Sequence, residues 1–510
     1  MIAVSISAKT LDQALQHISE VQVKTDLIEL RLDLIKDFNP YLDAKRVLSA
    51  AVAASNVPII FTFREQPNSS NSSKSCDFIS ELRNLISLRT LPLARDYFDF
   101  DCSHKCDVTF YLYKVYSELF GRSARVIASY HDFNGIPTNL DDLVIKLKST
   151  SADVIKIAVT AGNFEDNVRI LRILRDSSLP MISLAMGEFG KPSRLLALLG
   201  GSFLTFACTK PALETAAGQF TLEELCSVYR VKMINRETRF YCLLGYPVAH
   251  SASPYIHNAA FAAAGLNSVY LPIALSPSEL ASFVRNYVHP KTRQPEWHVL
   301  GASVTLPHKL AVRKYLDAMD QIAEQVGAVN TLVVSEGKLL GYNTDVMGAV
   351  APLKKYKLKG LRVAILGSGG AARAVIVGLK REGARITIYA RNFEQRRLLA
   401  AEFNVLHDDF ANIKGGELLI NATPIGMRGT SLEDALPLAE HLVTRFDVVY
   451  DLVYNPVMTK LLQVAQAAGK DIVTGLEMLV LQAGEQYRLW TSLEPPLDLM
   501  RLAAERWLER

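Results

Sequence analysis

The chain has 510 residues, too many for one hydrophobic core, so its length predicts two or more domains. Hydrophobic residues make up 49% and charged residues 21% of the sequence, which is the composition of a soluble globular protein. The net charge of +4 is small for this length and argues against nucleic acid or a membrane as the principal partner.

The cysteine content and the apolar stretches argue against further classes of protein. Six cysteines do not make a disulfide framework in a chain of this length. Cys102 and Cys106 flank His104, but no second ligand cluster follows, so we predict free thiols and no metal site. No uncharged apolar stretch is long enough to span a bilayer. The chain opens directly into a strand pattern at Met1–Ser7, which leaves no room for a targeting peptide, so we expect a cytoplasmic protein.

Short apolar runs alternate with helical patterns from residue 1 to about 230, at intervals of roughly 25 to 30 residues. The eight runs are Ala3–Ile6, Leu27–Leu32, Pro58–Arg64, Tyr97–Asp101, Val126–Tyr130, Val154–Val159, Met181–Ala185 and Phe203–Ala207. This cadence is typical of a (β/α)8 barrel. We predict a flexible loop at Gln66–Ser75. Within Leu225–Arg239 we predict a last helix that runs into a charged connector at Arg230–Arg239.

One lysine, Lys156, lies inside the sixth apolar run. Burying an ammonium group costs free energy, so such a lysine is usually either paired or used as an amine that forms a Schiff base with a carbonyl compound. His131, a candidate proton carrier, follows the fifth run. Glu29, Arg31 and Arg64 also lie near the C-terminal ends of runs, where barrel enzymes build their active sites. A purely structural lysine paired with a carboxylate is the alternative.

A fresh strand at Phe240–Gly245 starts the second half, for which we predict βα units to residue 345. Four short motifs there carry polar side chains, namely Ser251 and Ser253, then Ser303, Thr305 and Lys309, then Asn330, and finally Thr344 and Asp345. Hydroxyls, an amide and a Lys–Asp pair suit a small polyhydroxylated substrate whose carbonyl is protonated as hydride arrives. Each motif alone is ordinary turn chemistry, and their succession ahead of a dinucleotide-binding pattern favours the functional interpretation.

That pattern is a strand followed by Gly-x-Gly-x-x-Ala within Leu361–Ala372, and it opens a helix at Ala372–Arg381. The glycines allow a pyrophosphate to approach the helix N-terminus closely. The next strand ends at Arg391, where an NAD-preferring site usually has an acid. Arg391, Arg396 and Arg397 can hold a 2′-phosphate instead, so we predict NADP; a solvated basic helix start is the alternative.

The second half resembles shikimate dehydrogenases. The shared motifs are Ser-x-Ser-Pro at 251–254, Val-Thr-x-Pro-x-Lys at 304–309, Gly-Ala-Val-Asn-Thr at 327–331, Asn-Thr-Asp at 343–345, Asn-Ala-Thr-Pro-Ile-Gly-Met at 421–427 and Gly-Leu-Glu-Met-Leu-Val-x-Gln at 475–482. This resemblance implies that Lys309 and Asp345 form the catalytic pair. The substrate ligands that it implies are Ser251, Ser253, Ser303, Thr305, Asn330, Thr344, Tyr454 and Gln482. The cofactor contacts that we assign are Gly367, Ser368, Gly369, Gly370, Ala371, Arg391, Arg396, Asn421, Thr423 and Gly475. Ser303 stands where many bacterial members have asparagine.

The first half resembles type I 3-dehydroquinate dehydratases. The resemblance makes Lys156 the Schiff-base lysine and His131 the general acid and base. The substrate ligands that it implies are Glu29, Arg31, Arg64, Arg194, Thr215 and Gln219. In two places this chain departs from the family. The usual Glu-Gly-Gly after the arginine is missing, which leaves Glu65 as the only nearby acid and leaves open what orients His131. Thr215 replaces the usual serine.

Together the resemblances imply an α/β protein similar to the bifunctional dehydratase–dehydrogenases of plants and some intracellular bacteria. The domains that we predict are a (β/α)8 barrel at 1–232, a substrate-binding domain at 238–345, a Rossmann NADP domain at 346–478, and C-terminal helices at 479–510 that pack back on the substrate domain. The implied reactions convert 3-dehydroquinate to 3-dehydroshikimate and reduce that product to shikimate with NADPH.

Two alternatives are weighed against this prediction. A metabolite-sensing regulator derived from these enzymes should have lost catalytic groups, whereas this chain keeps Lys156, His131, Lys309 and Asp345. Quinate oxidation with NAD as the main activity of the second half is disfavoured by Arg391. The sequence does not indicate an oligomeric state.

Overall fold

The computed structural model of the chain describes residues 1–36, 38–64, 75–87, 89–103, 107–249, 251–293 and 299–510. The predicted loop at 66–74, Glu65, His104 and Cys106 lie outside these residues. The chain divides into two compact units, Met1–Thr238 and Arg239–Arg510. Within the described ranges, no helix is both long and apolar enough to cross a membrane.

The first unit is built on a parallel sheet. Its strands are β1 (Ile2–Ile6), β2 (Leu27–Arg31), β3 (Ile59–Thr62), β4 (Leu93–Asp101), β5 (Ser123–Asp132), β6 (Val154–Thr160), β7 (Met181–Met186), β8 (Thr205–Cys208) and β9 (Phe220–Thr221). Strands β1 to β7 are neighbours in chain order, and β8 pairs with the other edge of β1. At the seam between β7 and β8, the backbone N–H of Phe203 donates to the carbonyl of Met181 at 2.8 Å.

A single apolar cluster fills the space that these strands enclose. Its buried members come from every strand from β1 to β8 or its immediate lead-in, and they include Ala3, Leu27, Ile60, Tyr97, Ile127, Val154, Ile182 and Phe206. Side chains of alternate strand residues point to one face, so eight strands sharing one inward-facing cluster surround a common core. The predicted (β/α)8 barrel is confirmed.

Helices connect the barrel strands. They are α1 (Leu11–Val21), α2 (Pro40–Ala54), α3 (Ser75–Ser87), α4 (Asp107–Phe120), α5 (Leu140–Lys148), α6 (Phe164–Arg175) and α7 (Ser193–Leu199). Capping side chains start α1, α2 and α6. At α6, Asn163 accepts from the backbone N–H of Asp166, and the Asp166 carboxylate reaches back in a capping box. The predicted last helix is a single π-helical turn at Glu224–Val228 rather than a longer α-helix. Arg230 then adopts a left-handed conformation with φ 48°, which stops a right-handed helix where the predicted connector begins.

The second unit begins with a mixed six-stranded sheet. Its strands are β10 (Arg239–Gly245), β11 (Ser268–Ala274), β12 (Val299–Val304), β13 (Ala318–Met319), β14 (Thr331–Ser335) and β15 (Lys338–Tyr342), in the order β11-β10-β12-β14-β15-β13. Its helices are α8 (Ser253–Ala263), α9 (Leu280–Phe283), α10 (Gln321–Val326) and α11 (Asp345–Val350). The prediction of βα units up to residue 345 is wrong for β14 and β15, which form an antiparallel hairpin. Glu336 and Gly337 both have positive φ, the conformation that two-residue hairpin loops require.

A second sheet follows, and all its pairings are parallel. Its strands are β16 (Arg362–Leu366), β17 (Arg385–Tyr389), β18 (Leu406–Asp408), β19 (Gly416–Asn421), β20 (Phe446–Asp451) and β21 (Asp471–Val473), in the order β18-β17-β16-β19-β20-β21. The helices are α12 (Gly370–Arg381), α13 (Phe393–Phe403), α14 (Glu440–Val443), α15 (Lys460–Ala467), α16 (Gly475–Thr491) and α17 (Leu497–Leu508). The strand order proceeds outward in both directions from the neighbours β16 and β19, which is the arrangement of a doubly wound nucleotide-binding sheet. Near the C-terminus of α16, the indole N–H of Trp490 donates to the carbonyl of Leu332 at 2.9 Å, which ties this helix to β14.

Candidate active sites

A pocket opens toward the C-terminal ends of the barrel strands. The predicted site residues that line it are Glu29, Arg64, His131, Lys156, Arg194, Thr215 and Gln219, together with apolar side chains that include Phe206. The other predicted ligand of this unit, Arg31, is not among the residues that line the pocket. Its guanidinium pairs with Asp33 at 2.6 Å. Seven predicted polar residues from distant parts of the sequence are therefore brought to one cavity.

Lys156 is 3% exposed and lies among acids and an aromatic ring. Its Nζ is 2.7 Å from Oδ2 of Asp99 and 3.6 Å from Oε1 of Glu29, and it lies 4.5 Å from the centroid of the Phe206 ring. Burial alone would raise the pKa of Glu29, but the positive charges of Lys156, Arg31 and Arg64 outweigh burial and hold that pKa at about 2. The lysine is thus paired, and its side chain also lines the pocket.

His131 has a partner on each ring nitrogen. Its Nδ1 lies 2.8 Å from Oδ2 of Asp101, and its Nε2 lies 2.8 Å from Nη2 of Arg64. Burial and the nearby Arg64 charge lower the pKa of His131, although Asp101 raises it. The imidazole is therefore neutral near neutral pH and has the basic form that proton removal requires.

The lysine and the aspartate predicted in the second unit are in contact. Lys309 Nζ is 2.6 Å from Oδ2 of Asp345, and Nδ2 of Asn330 donates to Oδ1 of Asp345 at 2.8 Å and to the Thr344 hydroxyl at 2.9 Å. The backbone N–H of Thr344 donates in return to Oδ1 of Asn330 at 2.8 Å. Three separate motifs are joined here in one polar cluster.

The other predicted substrate ligands of the second unit make contacts outside the Lys309–Asp345 cluster. The Ser251 hydroxyl accepts from the backbone N–H of Ser253. The centroid of the Tyr454 ring lies 6.3 Å from that of Trp507. Thr305 packs against Gly245, where an added Cβ would lie 2.3 Å from the threonine methyl. The side-chain amide of Gln482 donates to the carbonyl of Leu479 in its own helix.

The turn from β16 into α12 has room for a phosphate. Gly367 has φ 116° and lies against the carbonyl of Ala422, so only glycine fits there. Around Gly369, at the N-terminus of α12, an added Cβ would meet no atom within 4 Å, so this helix start faces open space suited to an anion. A Cβ on Gly370 would lie 3.6 Å from Cδ of Lys309, so the helix start adjoins the Lys309–Asp345 pair.

The arginines after β17 differ in their surroundings. Arg391 is exposed. Arg396 is 7% exposed, and its Nη1 lies 3.0 Å from the carbonyl of Ala390 and 3.2 Å from Oδ2 of Asp409. Arg397 pairs with Glu394 at 2.9 Å. Ala390 and Asp409 hold part of the Arg396 guanidinium, while its Nε has no hydrogen-bond partner among the described residues. The contact of Arg396 with a 2′-phosphate stays a prediction, as does that of the exposed Arg391.

Two further predicted cofactor residues order the loops around this turn. Asn421 donates to Asp451 at 2.9 Å and accepts from the backbone N–H and the hydroxyl of Thr423. Gly475 lies against the backbone of Val453, where a Cβ would come within 2.5 Å of its carbonyl oxygen. Ser368 and Ala371 lie in the turn and the first turn of α12.

Comparisons with known proteins match both units of the chain. The family model for type I 3-dehydroquinase matches residues 2–236, the one for the shikimate dehydrogenase substrate binding domain matches 243–332, and the one for the shikimate 5′-dehydrogenase C-terminal domain matches 475–505. A chloroplastic bifunctional 3-dehydroquinate dehydratase/shikimate dehydrogenase of Arabidopsis thaliana is 32% identical over 98% of this chain and 83% of its own length. The chain belongs to this bifunctional family.

Relatives of the dehydrogenase unit alone are also similar. A shikimate dehydrogenase (NADP+) of Methanothermobacter thermautotrophicus is 39% identical over 54% of this chain and 100% of its own length. A crystal structure of shikimate dehydrogenase in complex with NADP+ is 35% identical and covers 54% of this chain and 96% of its own, with a TM-score of 0.50. The family and the α/β fold class predicted from the motifs are confirmed.

The sequence prediction missed three buried polar residues of these units. In the dehydratase unit they are Asp99 and Asp101. Both lie in the fourth apolar run, and their two-residue spacing predicts a common face. In the dehydrogenase unit it is Gln486, which is 2% exposed. Gln486 lies one helical turn after Gln482, and this spacing on α16 was the available signal.

Gln486 joins four segments of the dehydrogenase unit. Its Oε1 accepts from the Ser303 hydroxyl at 2.7 Å and lies 3.2 Å from Nε2 of His257. Its Nε2 donates to the Thr331 hydroxyl at 3.1 Å and to the carbonyl of Asn330 at 3.4 Å. Burial lowers the pKa of His257 to about 3, so this histidine is neutral. The Ser303 hydroxyl is thus engaged with α16.

Proposed function

We propose that the first unit dehydrates 3-dehydroquinate through an imine on Lys156 and that the second unit reduces the product, 3-dehydroshikimate, to shikimate with NADPH. One observation carries the first half of the proposal: a buried lysine amine and a neutral histidine face the same pocket as two arginines. The second half rests on a Lys–Asp pair beside the N-terminus of a dinucleotide-binding helix.

The two arginines suit the carboxylate of the substrate. Nε and Nη1 of Arg194 and Nε of Arg64 are buried and have no hydrogen-bond partner among the described residues. Leaving charged donors buried without a partner is costly, so a carboxylate that accepts from them binds favourably. Burial lowers the pKa of Arg194 to about 10, which still leaves the guanidinium charged near neutral pH.

Lys156 and His131 then divide the chemistry of dehydration. The lysine amine, after passing a proton to a neighbouring acid such as Asp99, attacks the ketone carbon, and loss of water gives the imine. The imine withdraws electrons from the adjacent carbon, so Nε2 of His131 can remove its proton. The resulting imidazolium returns this proton to the departing hydroxyl, which leaves as a second water. Hydrolysis of the imine frees 3-dehydroshikimate and the lysine.

In the dehydrogenase unit, the Lys309 ammonium lies beside Asp345 and can donate a proton to the substrate oxygen as the carbonyl is reduced. Asn330 holds the aspartate, Thr344 holds Asn330, and both offer polar groups to ring hydroxyls. NADPH supplies the hydride. The open space at Gly369 and the exposed guanidinium of Arg391 fit its pyrophosphate and its 2′-phosphate.

Several finer predictions belong to this proposal. We keep the domain boundaries at 232/238, 345/346 and 478/479, and small-molecule substrates as the partners. The cytoplasmic location also stays a prediction, since the Arabidopsis relative is a chloroplastic protein; fractionation of the source cells tests it. A sensing regulator and a quinate dehydrogenase are disfavoured, because the polar groups for turnover are present in both units and Arg391 follows β17.

Borohydride trapping tests the imine. Treatment of the protein with 3-dehydroquinate and borohydride should add the ligand mass to Lys156, and Lys156→Ala should abolish both the adduct and dehydration. Lys191→Ala is the matched control, because Lys191 is a barrel lysine whose Nζ packs over the Phe220 ring at 4.6 Å. An adduct on another lysine, or full dehydration by Lys156→Ala, would overturn the mechanism.

A further inference from the structure

Each reactive side chain of the barrel is held by an aspartate from the end of β4. Asp99 contacts Lys156, and Asp101 contacts His131. The two aspartates are two residues apart in one strand, so their side chains point to the same face. Both are at most 6% exposed. One strand therefore positions the groups that two neighbouring strands, β5 and β6, contribute.

Asp101 is itself fixed by a serine that also contacts the histidine backbone. The hydroxyl and the backbone N–H of Ser103 both donate to Oδ1 of Asp101, at 2.6 and 3.1 Å. The same hydroxyl accepts from the backbone N–H of His131 at 2.9 Å and lies 3.1 Å from the His131 carbonyl. Ser103 thus connects the Asp101 carboxylate to β5, the strand that carries His131. The other carboxylate oxygen, Oδ2, lies beside the imidazole ring.

We propose that Asp101 is the positioning residue that keeps the proton of His131 on Nδ1, so that Nε2 faces the pocket as the base. This inference rests on the proposed dehydratase function. The Arg64 guanidinium can only donate, so its Nη2 at 2.8 Å requires a lone pair on Nε2 and leaves the proton to Nδ1. A carboxylate can only accept, so the Asp101 oxygen 2.8 Å from Nδ1 favours the same tautomer.

The charges around the histidine agree with this role. Burial alone would raise the pKa of Asp101, but His131 and Arg64 outweigh it and hold that pKa well below its usual range, so the carboxylate stays ionised. The charged groups that face His131 are Asp101 from β4, Arg64 after β3 and Lys156 from β6. Among them, Asp101 is the group that stabilises the imidazolium formed when the base takes a proton.

Asp101→Asn tests the inference. An amide can donate to Nδ1, which would shift the ring proton to Nε2 and remove the base. We expect the dehydration kcat to fall by about 10²–10⁴-fold, the scale of general acid–base assistance. Imine trapping on Lys156 should persist, and shikimate oxidation by the second unit should be unchanged, which measures correctly folded protein in the same sample. In nitrogen-15 spectra assigned with His131→Gln, the histidine should change from the Nδ1–H to the Nε2–H tautomer.

Two more variants keep the test decisive. Ser103→Ala leaves the carboxylate in place, so it should retain the Nδ1–H tautomer and lose less activity than Asp101→Asn. Glu65→Gln removes the rival acid next to Arg64 in the sequence and should dehydrate at the normal rate. Normal turnover and an unchanged tautomer in Asp101→Asn, or the large loss in Glu65→Gln instead, would overturn the inference. Absence of dehydration by the unmodified protein would overturn the proposed function itself.

Discussion

Lys309 and Asp345 form an ion pair in which Nζ lies 2.6 Å from Oδ2, and the second carboxylate oxygen accepts a hydrogen bond from Asn330. Asp345 is the first residue of α11, a position where an aspartate often serves only as a helix cap. Here both oxygens of the carboxylate are bonded to side chains from other motifs. The geometry favours a proton-handling unit over a cap.

If the pair acts as a unit, Lys309→Ala, Asp345→Ala and the double variant should lose similar amounts of 3-dehydroshikimate reduction, each about 10²–10⁴-fold. Steady-state kinetics measure the loss, and binding of shikimate and NADPH shows that the variants are folded. Removal of a helix cap would instead lower the unfolding free energy by about 1 kcal/mol. An Asp345→Ala protein that melts early but keeps near-normal turnover when cold would contradict the assignment.

Cofactor preference should depend on Arg391. A charge-assisted contact with the 2′-phosphate contributes about 1.5–3 kcal/mol, or roughly one to two decades of affinity. Arg391→Ala should therefore raise the KM for NADPH and leave that for NADH nearly unchanged. Arg397→Ala is the control, because this nearby arginine pairs with Glu394. Equal use of both cofactors by the unmodified protein would count decisively against this role.

Gln486 should matter for stability, and Gln482, one turn earlier on α16, for substrate binding. Gln486→Leu leaves the Ser303 hydroxyl without its buried acceptor, at a cost of about 1–3 kcal/mol, and removes the amide donor to Thr331. Its melting temperature should fall clearly. Gln482→Leu breaks a bond only within its own helix, so the melting temperature should change little. Because Gln482 is a predicted substrate ligand, its loss should raise the KM for shikimate. Equal melting temperatures for the two variants would show that the Gln486 network is not stabilising.

Asp451 gives the second unit a pH-dependent stability. Burial raises the pKa of this carboxyl to about 6, although Thr459, Val453 and Asn421 donate to it. Between about pH 4 and pH 6 the native state then binds more protons than the unfolded chain. The contribution of the protonated Asp451 to the free energy of unfolding is therefore complete below about pH 4 and is lost as pH rises through 6. Asp451→Asn should remove this part of the pH dependence. Thermal melts at about pH 5 and pH 8 measure it. An unchanged difference between the two melts would refute the prediction.

Local patterns made much of the fold predictable. The eight barrel strands follow from apolar runs, since a strand buried on both faces has little room for polar residues. Lys156 stood out as an exception within such a run. The hairpin of β14 and β15 was missed because its two-residue turn, Glu336–Gly337, is short beside the longer motifs around it.

The polar partners were harder to predict because they depend on pairs that are distant in sequence. Asp99 and Lys156 are 57 residues apart, and Ser303 and Gln486 are 183 apart. An acid in an apolar run shows that some partner exists, but the strand order of the closed barrel decides which one. The internal partners of Arg396, Ala390 and Asp409, likewise become visible only in the folded chain.

The central claim is that one chain carries out two consecutive reactions at two sites. Its most direct test is incubation of the purified protein with 3-dehydroquinate and NADPH, followed by identification of the products. We expect shikimate, with one NADPH oxidised for each molecule formed. Lys156→Ala should form no shikimate from 3-dehydroquinate yet still reduce added 3-dehydroshikimate, and Lys309→Ala should accumulate 3-dehydroshikimate. Recovery of unchanged 3-dehydroquinate from the unmodified protein, or shikimate formation by Lys156→Ala at the normal rate, would contradict the claim.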